Sequence, residues 1–230
     1  MTLASVAKPE SPFKDNNLAG SFFRIWRIML NWLMHQGKLI LIAGPSGSGK
    51  GTLVAYLRQQ FPDLFFPTSW TTRAPRPGEE DGTSGSGKRY HFVNEQEFAA
   101  HAAAGGFLEW ARYGGNSYGT PAAEVDEALK ASRIVAQELE IQGVEQLQAR
   151  IPKEQRIIIF IDAGSWDELK KRILSRGEMS EDELEKRRLR FEEEQAFKPQ
   201  ADFVVENPHG RVEEAEARLS EIIRSVAAGS

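Results

Sequence analysis

Gly44-Pro45-Ser46-Gly47-Ser48-Gly49-Lys50 spaces three glycines and two serines ahead of a lysine in the pattern G-x-x-x-x-G-K. Residues this small let a backbone wrap closely around a bulky anion, with its N–H groups turned inward. A helix beginning at the end of such a loop adds its favourable N-terminal dipole. Lys50 would then place a point charge on the β- and γ-phosphates of a nucleoside triphosphate. The next residue is Gly51, where a Ser or Thr usually helps to hold magnesium, and Thr52 follows one position later. Gly44 to Thr52 are therefore the candidate ATP-binding residues, with magnesium accompanying the nucleotide and waters supplying much of its coordination.

A second set suits a second anion. Ser69-Trp70-Thr71-Thr72-Arg73-Ala74-Pro75-Arg76-Pro77-Gly78-Glu79 sets two arginines three residues apart in a proline-stiffened loop. Guanidinium groups bind phosphate through paired donors. Tyr90, Glu109-Trp110 and Tyr118-Gly119-Thr120 follow. Arg172, Arg176, Arg187, Arg188 and Arg190 crowd a later segment rich in glutamate, a pattern that reads for most of these residues as a solvated, salt-bridged helix pair.

The elements that must carry these residues alternate. Lys38 to Ala43 is a short apolar run and predicts a buried strand ahead of the glycine loop. Leu53, Leu57 and Phe61 predict a helix after it. Arg133 to Ala136, Arg156 to Ile161 and Phe203 to Val205 are further strand candidates. Ser165-x-x-Glu168 and Ser180-x-x-Glu183 have the form of capping boxes and predict two helix starts. Val212, Ala215, Leu219, Ile222 and Val226 form the inner face of a closing helix. Strands alternating with helices predict a parallel sheet covered on both sides.

The 230 residues carry a net charge of −4, unlike a basic protein built for nucleic acid. There is no cysteine, which excludes disulfides and Cys-ligated zinc and is compatible with the cytoplasm. His35, His91, His101 and His209 lack ligand-like spacing and read as surface or loop positions. No apolar stretch reaches the roughly 20 residues of a membrane span. Residues 1 to 20 read as a flexible leader. Residues 21 to 35 read as a hydrophobic helix, through Phe22, Ile25, Trp26, Met29 and Leu33, that docks on the main domain, forms a homodimer contact or anchors at a membrane surface.

With these residues in view, the S-x-T-T-R-x-P-R-x-G-E run, the E-W and Y-G-T-P pairs and the preceding G-P-S-G-S-G-K-G-T-L together resemble guanylate kinase, over roughly residues 37 to 226. The resemblance implies an α/β fold: a three-layer P-loop kinase core with a parallel sheet (37–67, 124–165 and 199–230), a small GMP-binding subdomain (68–123) and a helical lid (166–198). Residues 1–36 form an N-terminal extension. It implies transfer of the γ-phosphoryl group of ATP to GMP, with dGMP a further candidate acceptor. Arg73, Arg76, Tyr90 and Tyr118 would hold the GMP phosphate, and Ser69, Glu109 and Glu140 would read the guanine. Lys50, Arg176 and Arg187 would stabilise the transferring group, and Asn207 would lie beside the adenine.

The chemistry of the base agrees: guanine offers N1–H and N2–H₂ as adjacent donors to a carboxylate, and its O6 accepts from a hydroxyl. Adenine would leave those groups unpaired. Two departures from the family pattern stand out. Glu138-Leu139-Glu140-Ile141-Gln142-Gly143 replaces a pattern resembling D-x-D-x-Q-G, with Glu138 the candidate near the metal or Lys50, and Thr83 to Gly87 (TSGSG) adds about five residues before Tyr90. The competing readings are a related kinase acting on another phosphorylated acceptor, such as a ribose bisphosphate, and a catalytically inactive guanylate-kinase-like binding module.

Overall fold

The structure is a computed structural model that describes residues 37–76, 79, 90–175 and 177–228. The expected helix over 21–35 and its homodimer contact, the TSGSG segment and Arg176 lie outside the described residues.

β1 (Lys38–Ala43) leads into the glycine loop and α1 (Lys50–Gln60). β2 (Ser69–Thr71), β3 (Tyr90–Phe92), α2 (Glu95–Ala103), β4 (Phe107–Tyr113), β5 (Asn116–Pro121) and α3 (Ala122–Lys130) follow. Next come β6 (Ile134–Glu138), α4 (Ile141–Gln148), β7 (Arg156–Asp162), α5 (Trp166–Leu174), α6 (Glu181–Phe197), β8 (Phe203–Glu206) and α7 (Val212–Ala228). The strands form two four-stranded sheets, ordered β6-β1-β7-β8 and β3-β2-β5-β4.

In the first sheet all pairings are parallel, as the alternation of strand and helix predicts. Its registers align Ile42 with Glu138, Ala43 with Phe160 and Asp162 with Glu206. The C-terminal ends of the four strands therefore share one edge. The glycine loop, Glu138 and Glu140, Asp162 and Asn207 all leave the sheet there, where open parallel sheets bind ligands. Ile40, Ile42, Ile159 and Ile161 pack against Leu53, Val54 and Leu57 of α1 and against Ala215, Leu219 and Ile223 of α7. The inner face expected for the closing helix is the observed one, and burying it fixes α1, and so the glycine loop, on the sheet.

The second sheet is mixed, with β2 parallel to β3 and antiparallel to β5, which pairs antiparallel with β4. α3 touches β4 and β6, and α4 touches β4 and β1, so these helices tie the two sheets together. Both expected N-caps of the later helices form: Ser165 caps α5 in a complete capping box with Glu168, and the Ser180 side chain accepts from the Glu183 N–H at the start of α6. Two histidines correct the surface reading. His91 lies in β3 and His101 in α2, and both rings pack on Trp70, with centroids 4.6 and 4.2 Å away. An aromatic indole outcompetes water for their ring faces. No helix among the described residues is long and apolar enough to cross a membrane.

Candidate active site

The glycine loop wraps back on itself, with the Ser48 N–H donating to the Pro45 carbonyl at 2.9 Å. Gly49 ends it in the left-handed region at φ 93° and precedes the first residue of α1. A Cβ at Gly49 would lie 2.4 Å from Asn207 Nδ2, so the position needs glycine for space as well as conformation. The loop is braced from outside. Asn207, buried after β8, donates to the Ser48 carbonyl at 2.7 Å, and Arg172 of α5 donates to the same carbonyl at 3.3 Å and to the Asn207 carbonyl. Asn207, expected beside the adenine, thus has its amide engaged in holding the loop. Lys50 is buried and folds over the loop, its ammonium donating to the Gly44 and Pro45 carbonyls at 2.5 and 3.2 Å.

A cleft of about 470 Å³ opens beside this loop. Ser46, Gly47, Gly49, Lys50, Gly51 and Thr52 line one side. Ser69, Arg73, Arg76, Tyr90, Glu109, Tyr118 and Glu140, every residue expected on the acceptor side, line the other, and Glu138 lies between. Gly44, Pro45, Ser48 and Asn207 are not among the residues that line it.

Arg73 faces the Tyr90 ring, its guanidinium carbon 5.4 Å from the centroid, and pairs with Glu79 at 2.8 Å. Burial opposes ionisation of Glu79. The Arg76 N–H and the Arg73 guanidinium outweigh it and hold the carboxyl below its ordinary range. Tyr118 meets Tyr90 edge to face at 6.3 Å. Deeper in the cleft, Thr120 donates to Glu109 Oε1 at 2.5 Å, and the amide of Gln137 reaches both Ser69 and Thr120. A Cβ on Gly143 would fall 2.7 Å from Glu109 Oε2, so this glycine leaves room for the carboxylate. Arg187 pairs with Glu183 at 3.3 Å and lines a small cavity with Ser46, Tyr113, Arg190 and Glu194.

The family model for guanylate kinase matches residues 36–226. The chain is 39% identical to a guanylate kinase of Rubrobacter xylanophilus over 196 residues, spanning 85% of this chain and 98% of that one. It is 43% identical to a guanylate kinase of Parasynechococcus marenigrum over 172 residues, or 75% and 91% of the two chains. The crystal structure of guanylate kinase from Anaplasma phagocytophilum superposes with a TM-score of 0.62 at 25% identity, covering 82% of this chain and 85% of that one.

This chain belongs to the guanylate kinase family. It is an ATP-dependent nucleoside-monophosphate kinase of the P-loop class, and both cores of that fold are present: the parallel sheet that carries the glycine loop and the mixed sheet that carries the second arginine set.

Four residues of this guanylate kinase site carried no role in the sequence reading. Glu79 closes the arginine run, where its type alone marks no role. Thr120 and Gln137 are lone polar residues in short strands, with no periodicity to mark them. Glu194 sits in the acidic run Glu192-Glu193-Glu194, which composition alone assigns to a solvated face. The structure instead turns Glu194 inward, where it accepts the Ser46 N–H at 3.3 Å. Burial pushes its carboxyl up to about 7, reinforced by Glu140 and opposed by Lys50, the Ser46 amide and Arg190. The rear of α6 is anchored separately. Asp162, at the end of β7, accepts from Gln195 at 2.9 Å and from Lys198.

Raising Glu194 from the ordinary 4.5 to about 7 means the folded protein binds the proton more tightly than the unfolded chain. Its contribution to stability is therefore present below pH 4.5 and declines as pH rises towards 7. Glu194→Gln removes that dependence. Thermal melts of both proteins at acid and alkaline pH should show the variant gaining on wild type as pH rises, by about 2–4 °C for each kcal/mol. Parallel melting curves across the range would contradict the inward placement of the charge.

Proposed function

We propose that ATP and GMP bind in the one cleft and react by direct in-line transfer, giving ADP and GDP. The single observation that supports this is the cleft itself: the P-loop lysine and the arginine, tyrosine and carboxylate set of the acceptor side line the same cavity.

In this reading the loop amides and Lys50 take the triphosphate. Lys50 exchanges its two loop carbonyls for phosphate oxygens. The Ser46 amide, satisfied by Glu194, is one of the donors an anion would take over. Arg73 and Arg76, with the Tyr90 and Tyr118 hydroxyls, hold the GMP phosphate. Ser69, Glu109 and Glu140 read the guanine, where Glu140 Oε2 is buried and has no hydrogen-bond partner among the described residues. That free acceptor suits the guanine N2 amine. A GMP phosphate oxygen attacks the γ-phosphorus while ADP leaves on the opposite side. Charge developing on the equatorial oxygens is met by Lys50, Arg187 and Arg176, the last two brought in with the α5–α6 segment. Nothing in the cleft calls for a covalent intermediate.

Magnesium fits the donor set modestly. No group of three or more metal-type side chains gathers among the described residues. The Thr52 hydroxyl and the Glu138 carboxylate are oxygen donors on the cleft wall, the chemistry magnesium takes. They would hold it, mostly through water, and the ion would offset phosphate charge. dGMP is a further acceptor in this reading, since none of the assigned contacts needs the 2′-hydroxyl.

A ribose bisphosphate acceptor would leave the buried Ser69, Glu109, Thr120 and Gln137 without a base to read. A binding-only module has no use for an intact glycine loop and Lys50.

Lys50→Ala should lower kcat by about 10²-fold or more with the far-UV spectrum unchanged. A wild-type rate would remove Lys50 from the reaction. Glu109→Ala should cut the GMP-over-AMP ratio of kcat/KM by about 10²-fold or more and leave the KM for ATP near its starting value. Unchanged discrimination would remove Glu109 from the base pocket.

A further inference from the structure

Gln137 is an amide in a strand that is otherwise apolar up to its last residue, and it is 5% exposed. Its side-chain nitrogen reaches out of the parallel sheet to two hydroxyls of the mixed sheet: Ser69 Oγ on β2 at 2.8 Å and Thr120 Oγ1 on β5 at 3.0 Å. These three side chains and Glu109 are all under a tenth exposed.

Proton counting fixes the direction of each bond. Thr120 Oγ1 donates to Glu109 Oε1 at 2.5 Å. The single Thr120 proton is therefore spent on Glu109. Whatever Gln137 presents to Thr120 must be a donor, which sets its amide nitrogen, and not its oxygen, at that end. The same nitrogen meets Ser69, so Ser69 must accept there, and its own proton is left for the cleft that it lines.

We infer that Gln137 is a specificity-determining positioning residue: by donating to Ser69 it takes one of that hydroxyl's two lone pairs, biases its proton toward the cleft, and so favours a purine with an oxo group at the 6-position over one with an amine there. The inference rests on the proposed placement of guanine against Ser69 and Glu109. Without Gln137 the Ser69 hydroxyl is free to turn and either donate or accept. With it, one acceptor position on Ser69 is already filled, so an oxo group meets the available proton, while a 6-amino group must turn that proton away to reach the one lone pair left. Gln137 thus acts on the base through Ser69, whereas Glu109 and Glu140 act on the N1 and N2 edge directly.

The 6-position can be probed alone. 6-Thio-GMP keeps the N1–H and N2–H₂ of GMP and exchanges only O6 for a poor acceptor, and IMP keeps O6 and N1–H and lacks only the N2 amine. kcat/KM is to be measured for the three acceptors with wild type, Gln137→Leu, Ser69→Ala and the double variant. The expected result is a preference for GMP over 6-thio-GMP that shrinks about 3–10-fold in Gln137→Leu, the range of one hydrogen bond, while the preference for GMP over IMP stays. In the Ser69→Ala background, Gln137→Leu should change the 6-thio ratio no further. If Gln137→Leu does not fold, Gln137→Asn, which withdraws the amide by one methylene, should give the same selective shift. An unchanged 6-thio ratio in a folded variant, or equal loss of both ratios, overturns the inference. A wild type that does not prefer GMP to AMP is a separate result, and it removes the base placement on which the inference stands.

Discussion

Two nucleotide phosphates brought end to end repel each other, and a site that holds them so must surround the junction with positive charge. In the empty protein those cations would in turn repel one another. The fold answers by giving three of these cations an internal acceptor. Lys50 rests on the carbonyls of its own loop, Arg73 on Glu79 and Arg187 on Glu183. Glu194 does the converse, lending a carboxylate to a loop amide. These are contacts that a phosphate oxygen can replace in kind, so binding exchanges one set of charge-assisted hydrogen bonds for another.

The framework for this exchange is the edge of the parallel sheet. Shared register carries the ends of four strands to one line, and burial of α1 and α7 on that sheet fixes the loop between them. Asn207 and Arg172 then hold the Ser48 carbonyl from behind. The mixed sheet supplies the other wall. Gln137 crosses between the two walls and joins Ser69 and Thr120 to the core strand beside the loop. In the proposed reading, placement of the second substrate is thereby tied to the element that places the first.

The phosphate loop was legible in the sequence because its meaning is local: the glycines, the lysine and the flanking strand and helix occupy consecutive residues. The two capped helices were legible for the same reason. The acceptor wall was reached through resemblance, and the elements beneath it were not read. β2 and β3 are three residues each, too short for any alternation to register. α2, α3 and α4 likewise went unread, although Asn94-x-x-Glu97 closes a capping box at the start of α2. Gln137 and Thr120 take their roles from partners 68 and 17 residues away, which no local pattern encodes. Glu194 was hidden by its neighbours: three successive glutamates on a charged helix look alike until packing turns one of them inward. His91 and His101 were misjudged because the indole that packs on them is distant in sequence from both.

The most direct test of the account is ADP release from ATP, followed by a coupled assay, with GMP, dGMP, AMP, UMP and CMP offered in turn. Turnover with GMP and dGMP and near-absence of turnover with the other three is the expected result. Turnover indifferent to the base, or none with GMP, would contradict a cleft in which one wall cradles ATP and the other sorts guanine.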